Sequence, residues 1–170
     1  TSLLGSLLQV LKFNLARKAP RVRVFEIGRV FLRDVSVPES DSTVQGFDQP
    51  MRIAALSSGN ANAQQWGHKE QGVDFFDAKG DVEALLAPQM AEFKPGNHPA
   101  MHPGRCAQVL VGGKVIGHVG ELHPKWRQGY ELPQAPMLFE LELDPILARK
   151  LPEFVPVAKY QPVQRDIAVV

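Results

Sequence analysis

Two apolar-rich runs, Cys106 to Val111 and Lys114 to Glu121, are separated by Gly112-Gly113 alone, and this is the feature that most constrains the fold. A two-residue connection between antiparallel strands requires positive φ at both positions, which glycine accepts without steric cost. The stretch therefore predicts a β-hairpin. Around it, apolar periodicity changes from segment to segment. Leu3, Leu4, Leu7, Leu8, Leu11 and Leu15 recur at three- and four-residue steps and place a helix over residues 1–18. Ala19-Pro20 ends that helix, and residues 21–33 alternate charged and apolar side chains as a strand does, with Gly28 marking a bulge or a close contact. Residues 34–50 read as a polar loop, 51–56 as a second strand, and the small, polar stretch 57–69 as a mobile loop.

Further along, residues 73–86 are helical, with Val82, Leu85 and Leu86 on one face and Pro88 as the stop. A short strand is expected at 92–94, ahead of a Pro/Gly-rich segment at 95–104. Beyond the hairpin come a short helix at 124–130, a strand at 137–143 that alternates Leu138, Glu140 and Glu142, and a further helix capped by Asp144-Pro145. Residues 151–164 are Pro-rich and read as a linker. The terminal Asp166-Ile167-Ala168-Val169-Val170 reads as a strand cut short, so a fragment of a longer protein is expected. This mixture of elements predicts an α+β fold on an antiparallel sheet.

Composition narrows the function classes. With 44% hydrophobic residues in 170, the chain can bury a sizeable core. Its 19 Lys and Arg against 18 Asp and Glu leave a net charge of +1, which supplies no global field for nucleic acid or an anionic membrane. A lone RNA-binding module is weakened on that ground. One cysteine forms no internal disulfide, no apolar run approaches the roughly 20 residues of a membrane span, and a reducing cytoplasmic location is expected.

Several constellations could carry chemistry. His98, His102, Cys106 and His123 are ligand-competent, and His-x3-His-x3-Cys would line up on a helix as a zinc site does. Pro99, Pro103 and Gly104 break any such helix, so loop histidines packed beside prolines are preferred, and a free-standing metal-dependent enzyme using His98, His102 and Cys106 stays as the alternative. Asp74, Asp77, Asp81 and Glu83 gather at a helix start, where complementing the positive helix end is a simpler role than binding Mg²⁺. Gly112, Gly113, Gly117 and Gly120 precede no helix in register and form no dinucleotide fingerprint. Ser57 and Ser58 lie in no nucleophile elbow, and Trp66 and Trp126 form no base-stacking platform.

Four segments carry a resemblance. The stretch from His102-Pro103-Gly104 through Gly117 and Gly120 to Gly120-Glu121-Leu122-His123-Pro124 is more heavily punctuated than a hairpin requires. Together with Thr1-Ser2-Leu3-Leu4, Val24-Phe25-Glu26-Ile27-Gly28-Arg29-Val30-Phe31 and Asp74-Phe75-Phe76-Asp77-Ala78-Lys79-Gly80-Asp81-Val82-Glu83, it resembles the bacterial phenylalanyl-tRNA synthetase beta subunit, in the family's order. The resemblance implies a class II synthetase-like domain over 1–150, an antiparallel sheet flanked by helices. Residues 151–170 then hold a linker and the first strand of a truncated ferredoxin-like anticodon-binding domain. It also implies assembly with the catalytic alpha subunit in an α2β2 heterotetramer that uses ATP and Mg²⁺ to attach phenylalanine to its tRNA, with no cofactor or metal held by this fragment. Phe31-Leu32-Arg33-Asp34 occupies the place of the second class II motif, with Leu32 where the family's catalytic relative carries an ATP-binding arginine. Strand alternation turns Arg33 to the opposite side. Residues 137–150 contain no glycine for the third motif, and their acids are expected to repel ATP. No catalytic residue is assigned. Leu4, Leu8, Leu11 and Leu15 are the candidates for a subunit interface.

Overall fold

The computed structural model describes residues 1–148 apart from 42 and 68, together with 154, 156, 160, 163 and 165–168. The expected boundary at 150 lies outside the described residues, as does most of the expected linker and terminal strand. The chain is an α+β fold. Its sheet has six strands: β1 (Arg21–Arg29), β4 (Met51–Gly59), β8 (Met137–Glu142), β7 (Lys114–Leu122), β6 (Met101–Val111) and β5 (Glu92–Pro95), in that spatial order. Every neighbouring pair is antiparallel. A two-stranded ribbon lies apart: β2 (Leu32–Arg33), the end of the strand expected over 21–33, pairs with β3 (Phe47–Asp48), inside the expected polar loop.

Helix α1 (Leu4–Ala16) covers one face of the sheet. Leu4, Leu7, Leu8 and Leu11 are buried against Val22, Ala54, Leu56 and Leu138. Each such leucine removed from water contributes roughly 1.5–3 kcal/mol. Helix α2 (Phe75–Leu86) covers the other face, with Ala78, Val82 and Leu86 packed among Val109, Val119, Phe139 and Leu141. The sheet is thus a wall between two apolar cores. Two short helices complete the fold, α3 (Pro124–Gly129) and α4 (Asp144–Leu147).

The two-sided burial explains where the expectations failed. Residues 57–59 belong to β4, and Ser57 and Ser58 are 7% and 2% exposed, so they are not part of a mobile loop. Central position in the sheet buries whatever side chains the strand carries, and the Ser58 hydroxyl accepts from Gln134 Nε2 at 3.3 Å. Strand β8 lies between β4 and β7, so its apparent one-sided alternation is also misleading. Leu138 and Glu140 face α1, while Met137, Phe139 and Leu141 face α2, and all five are buried. Leu143, not Asp144, stands at the N-cap of α4; Asp144 falls in the first turn beside Pro145 and makes no side-chain capping bond.

The hairpin itself forms where the glycines place it, with φ of +57° at Gly112 and +78° at Gly113. Gly117 answers a different demand. A Cβ there would stand 2.1 Å from the Glu140 carbonyl oxygen and 2.8 Å from Leu141 Cα, so β7 and β8 approach closely only because this position has no side chain. The added carbon at Gly112 would meet nothing within 4 Å. Gly117→Ala should therefore cost on the order of 2–4 kcal/mol through backbone clash, against roughly 1–2 kcal/mol for Gly112→Ala from its positive φ alone. Urea denaturation of the two variants checks this ranking; an equal loss would mean that the β7 and β8 backbones can separate freely.

Candidate functional site

Among the described residues, the ion pair with a buried carboxylate lies on the α1 face of the sheet. Glu140, 5% exposed, projects from the middle of β8, and its Oε2 accepts from Arg52 Nη1 of β4 at 2.8 Å. Its other oxygen accepts from the Leu3 backbone N–H at 2.7 Å and from the Ser2 hydroxyl at 2.9 Å. Leu3 is the N-cap residue of α1 and offers no side-chain cap, so a carboxylate 137 residues away satisfies an amide at the helix start. The register Arg52↔Glu142 puts Arg52 and Glu140 diagonally across neighbouring strands, within reach of long side chains.

Two imidazoles stand beside this pair. The His98 and His118 rings lie 5.1 Å apart between centroids. Burial holds His98 below the ordinary imidazole value of 6.5, with Arg52 adding to the shift and Glu140 opposing it. Burial also lowers His118, helped by His98 and Arg52 against the pull of Glu140. Two cavities share Arg52, His98 and Glu140 as their partition. One, about 440 Å³, is walled by Ser2, Leu8, Trp126 and Tyr130; the other, about 280 Å³, opens toward His118 and Glu142. Arg52 Nε is buried there with no hydrogen-bond partner. The arrangement is a polar, nearly charge-neutral pocket, in which the Glu140 carboxylate is engaged by Arg52, the Leu3 amide and the Ser2 hydroxyl.

The structure places the expected residues individually. Leu32 in β2 packs partly buried against the α1-side core, whereas Arg33 is exposed, so neighbouring residues of this strand do point apart. The acids of β8 do not form the repulsive strand expected of them. Glu140 is neutralised by Arg52, and Glu142 by Lys114 Nζ at 3.0 Å. The expectation that no phosphate clamp is present therefore rests on Leu32 and on the lack of a third-motif glycine in residues 137–150.

The metal alternative fails on geometry. His98 Nδ1 accepts from the Ala100 N–H at 3.2 Å, His102 Nδ1 from Gly104 N–H at 3.0 Å, and His123 Nδ1 from Lys125 N–H at 3.0 Å. Each histidine precedes a proline, which has no N–H, and its ring closes the turn by taking the next amide instead. Cys106 points into the core, 3.6 Å from Met101 Sδ, where burial pushes its thiol up. Among the described residues no three His, Cys, Asp or Glu side chains converge as a metal site would need. The acids at α2 have structural work: Asp74 Oδ1 accepts from the Phe76 and Asp77 amides, and Asp77 returns the bond to the Asp74 amide at 2.9 Å, a reciprocal capping box.

The leucines assigned to a subunit interface are also relocated. Leu4, Leu8 and Leu11 are 3%, 4% and 0% exposed inside the chain's own core, and Leu15 is half-buried against it. The apolar stripe of α1 is used up on its own sheet, and its outer face presents Val10 and Phe13 instead. Sequence reasoning missed the Arg52–Glu140 pair. A charged residue in a six-residue strand otherwise rich in Leu, Phe and Met was the one local sign that it needed a partner.

Removing Arg52 would leave Glu140 buried and uncompensated, and Arg52→Ala should cost roughly 3–5 kcal/mol. Arg52→Met combined with Glu140→Leu should recover much of that loss in a double-mutant cycle. Acid should act through the histidines. Their folded values lie below 6.5, so the unfolded chain takes up protons first as pH falls; the stability they allow is fully present above about pH 6.5 and is lost progressively below it. Urea midpoints at about pH 7.5 and about pH 5 check this, and His98→Gln with His118→Gln should shrink the difference.

Comparison with known proteins then gives the family. The chain matches the model of the Phenylalanyl tRNA synthetase beta chain CLM domain over residues 1–143. It is 54% identical over 170 residues to the phenylalanine–tRNA ligase beta subunit of Burkholderia lata, covering 100% of this chain and 21% of the relative. The corresponding subunits of Cupriavidus pinatubonensis and Ralstonia nicotianae are 52% and 50% identical, with the same coverage. The chain spans about a fifth of the length of these relatives. The antiparallel sheet, its two helical faces and the match over residues 1–143 agree: the chain belongs to the phenylalanyl-tRNA synthetase beta chain CLM domain family.

Proposed function

We propose that this chain is a synthetase-like module of a phenylalanyl-tRNA synthetase beta subunit that has given up catalysis and serves in assembly with the catalytic alpha subunit. The α2β2 enzyme so formed attaches phenylalanine to its tRNA in the cytoplasm, with ATP and Mg²⁺ used by the whole enzyme. The observation that supports this reading is Leu32, an apolar side chain packed partly buried against the core, at the position to which the resemblance assigns an ATP-binding arginine. The six-stranded antiparallel sheet with a helix on each face supports a class II-like domain over 1–150, and residues 151–170 are assigned to a linker and the opening strand of a ferredoxin-like domain. Among the described residues no helix is long and apolar enough to cross a membrane.

The pocket around Arg52 agrees with a non-catalytic role. Arg52 is committed to Glu140, and Glu140 is committed to the start of α1, so neither is free to bind a triphosphate. A phosphate clamp needs several preorganised cations facing one point, and a single restored donor supplies only a few kcal/mol of a synthetase barrier. Accordingly the chain should bind ATP with Mg²⁺ no better than an unrelated protein in calorimetry. Leu32→Arg should remain inactive in phenylalanine-dependent pyrophosphate exchange. Micromolar, Mg²⁺-dependent ATP binding by the unmodified chain would overturn the proposal.

A further inference from the structure

The two helices do not cover the sheet evenly. Helix α2 lies over β7 and β8, which leaves the same face of β1 and the adjoining part of β4 open. A groove of about 470 Å³ runs there, between Phe25 of β1, Ile53 and Ala55 of β4, and Ala84 and Leu85 of α2. Phe25 is 71% exposed and Ile27 48%, on an edge strand of nine residues whose outer side pairs with no strand among the described residues. A long apolar edge of this kind invites a partner.

Charge says what kind. Arg21, Arg23 and Arg29 share the strand face of Phe25 and Ile27, since side chains alternate along β1. Arg21 donates to the carbonyls of Asn60 and Ala61 at 3.1 and 3.2 Å, and Arg29 to that of Gln49 at 3.0 Å. Carbonyls hold these guanidinium groups in place without neutralising them, and among the described residues neither pairs with a carboxylate. Among the described residues Arg23 pairs with Asp81, at 4.0 Å. Two oriented positive charges thus bracket two exposed apolar side chains. A second copy of this chain would bring arginine against arginine, which disfavours self-association through this edge.

Resting on the assembly reading above, we propose that the β1 edge and its groove are where the catalytic alpha subunit docks, through an apolar segment flanked by acidic residues. Such a segment fills the groove beside Phe25 and Ile27, sets its carboxylates against Arg21 and Arg29, and protects the open edge of β1.

The test uses the full-length beta subunit that carries this chain, with its alpha subunit. The amides of β1 that point away from β4 should exchange in the beta subunit alone and become protected when alpha is added. Phe25→Asp with Ile27→Asp should weaken the complex at least ~10-fold, and Arg21→Glu with Arg29→Glu should do likewise while reducing its salt sensitivity. Both variants alter exposed side chains and should keep the melting temperature of the isolated beta subunit. Should unmodified alpha and beta fail to co-purify, the assembly reading itself falls. If they co-purify but both variants bind as the parent does, that reading stands and the docking surface is wrong. Protection of those outward-pointing β1 amides in beta alone would also overturn it. Concentration-dependent sedimentation would then show whether a second copy or the rest of the beta subunit fills the groove.

Discussion

The carboxylate of Glu140 is the point on which three parts of the fold converge. It sits in a strand buried on both faces, where an unpaired charge would be very costly, and its contacts come from two other elements, β4 and the start of α1. Arg52 supplies the countercharge from the neighbouring strand, and Ser2 and the Leu3 amide bring the start of α1 to the same place. The leucine stripe of α1 attracts the helix to the sheet without direction, whereas the hydrogen bonds to Glu140 set where along the sheet the helix begins. Nonpolar burial supplies the driving force here, and one polar cluster supplies the register.

That arrangement also accounts for the chemistry the pocket lacks. A site for a triphosphate needs cations with nothing else to bind, and the arginine nearest the pocket is occupied by a buried acid. The histidines that looked like ligands are held by their own backbone. Three His-Pro steps use the ring nitrogen to close a turn that proline leaves one donor short, which makes these residues structural rather than reactive. What survives is a shaped polar pocket beneath a helix start, suited to holding the module together.

The two cores divide the apolar surface unequally, and the remainder gives the module an outward-facing edge. Helix α1 spends its leucines on its own sheet, where they are buried within this chain. Helix α2 is too short, at 12 residues, and too far across the sheet to shield β1. An edge strand with arginines at its ends and aromatic and aliphatic side chains between them is the consequence.

Much of the architecture was legible in local pattern. The leucine periodicity of α1, the glycine pair of the hairpin and the capping acids of α2 each depend on neighbours within one or two turns of chain, and each was readable from residue spacing. Strand order was not readable in this way. Because β8, near the end of the described sheet residues, inserts between β4 and β7, Glu140 becomes buried, Ser57 and Ser58 become core residues, and Gly117 becomes a contact between backbones. Local sequence determined which segments form helices and strands, because propensity, capping and turn chemistry act over a few residues. Only the tertiary structure decided which faces stay buried, that Glu140 finds Arg52 and Leu3, and that β1 is left open, because those outcomes depend on pairings between segments 50 to 140 residues apart, on the order of the separations that local chemistry does not encode.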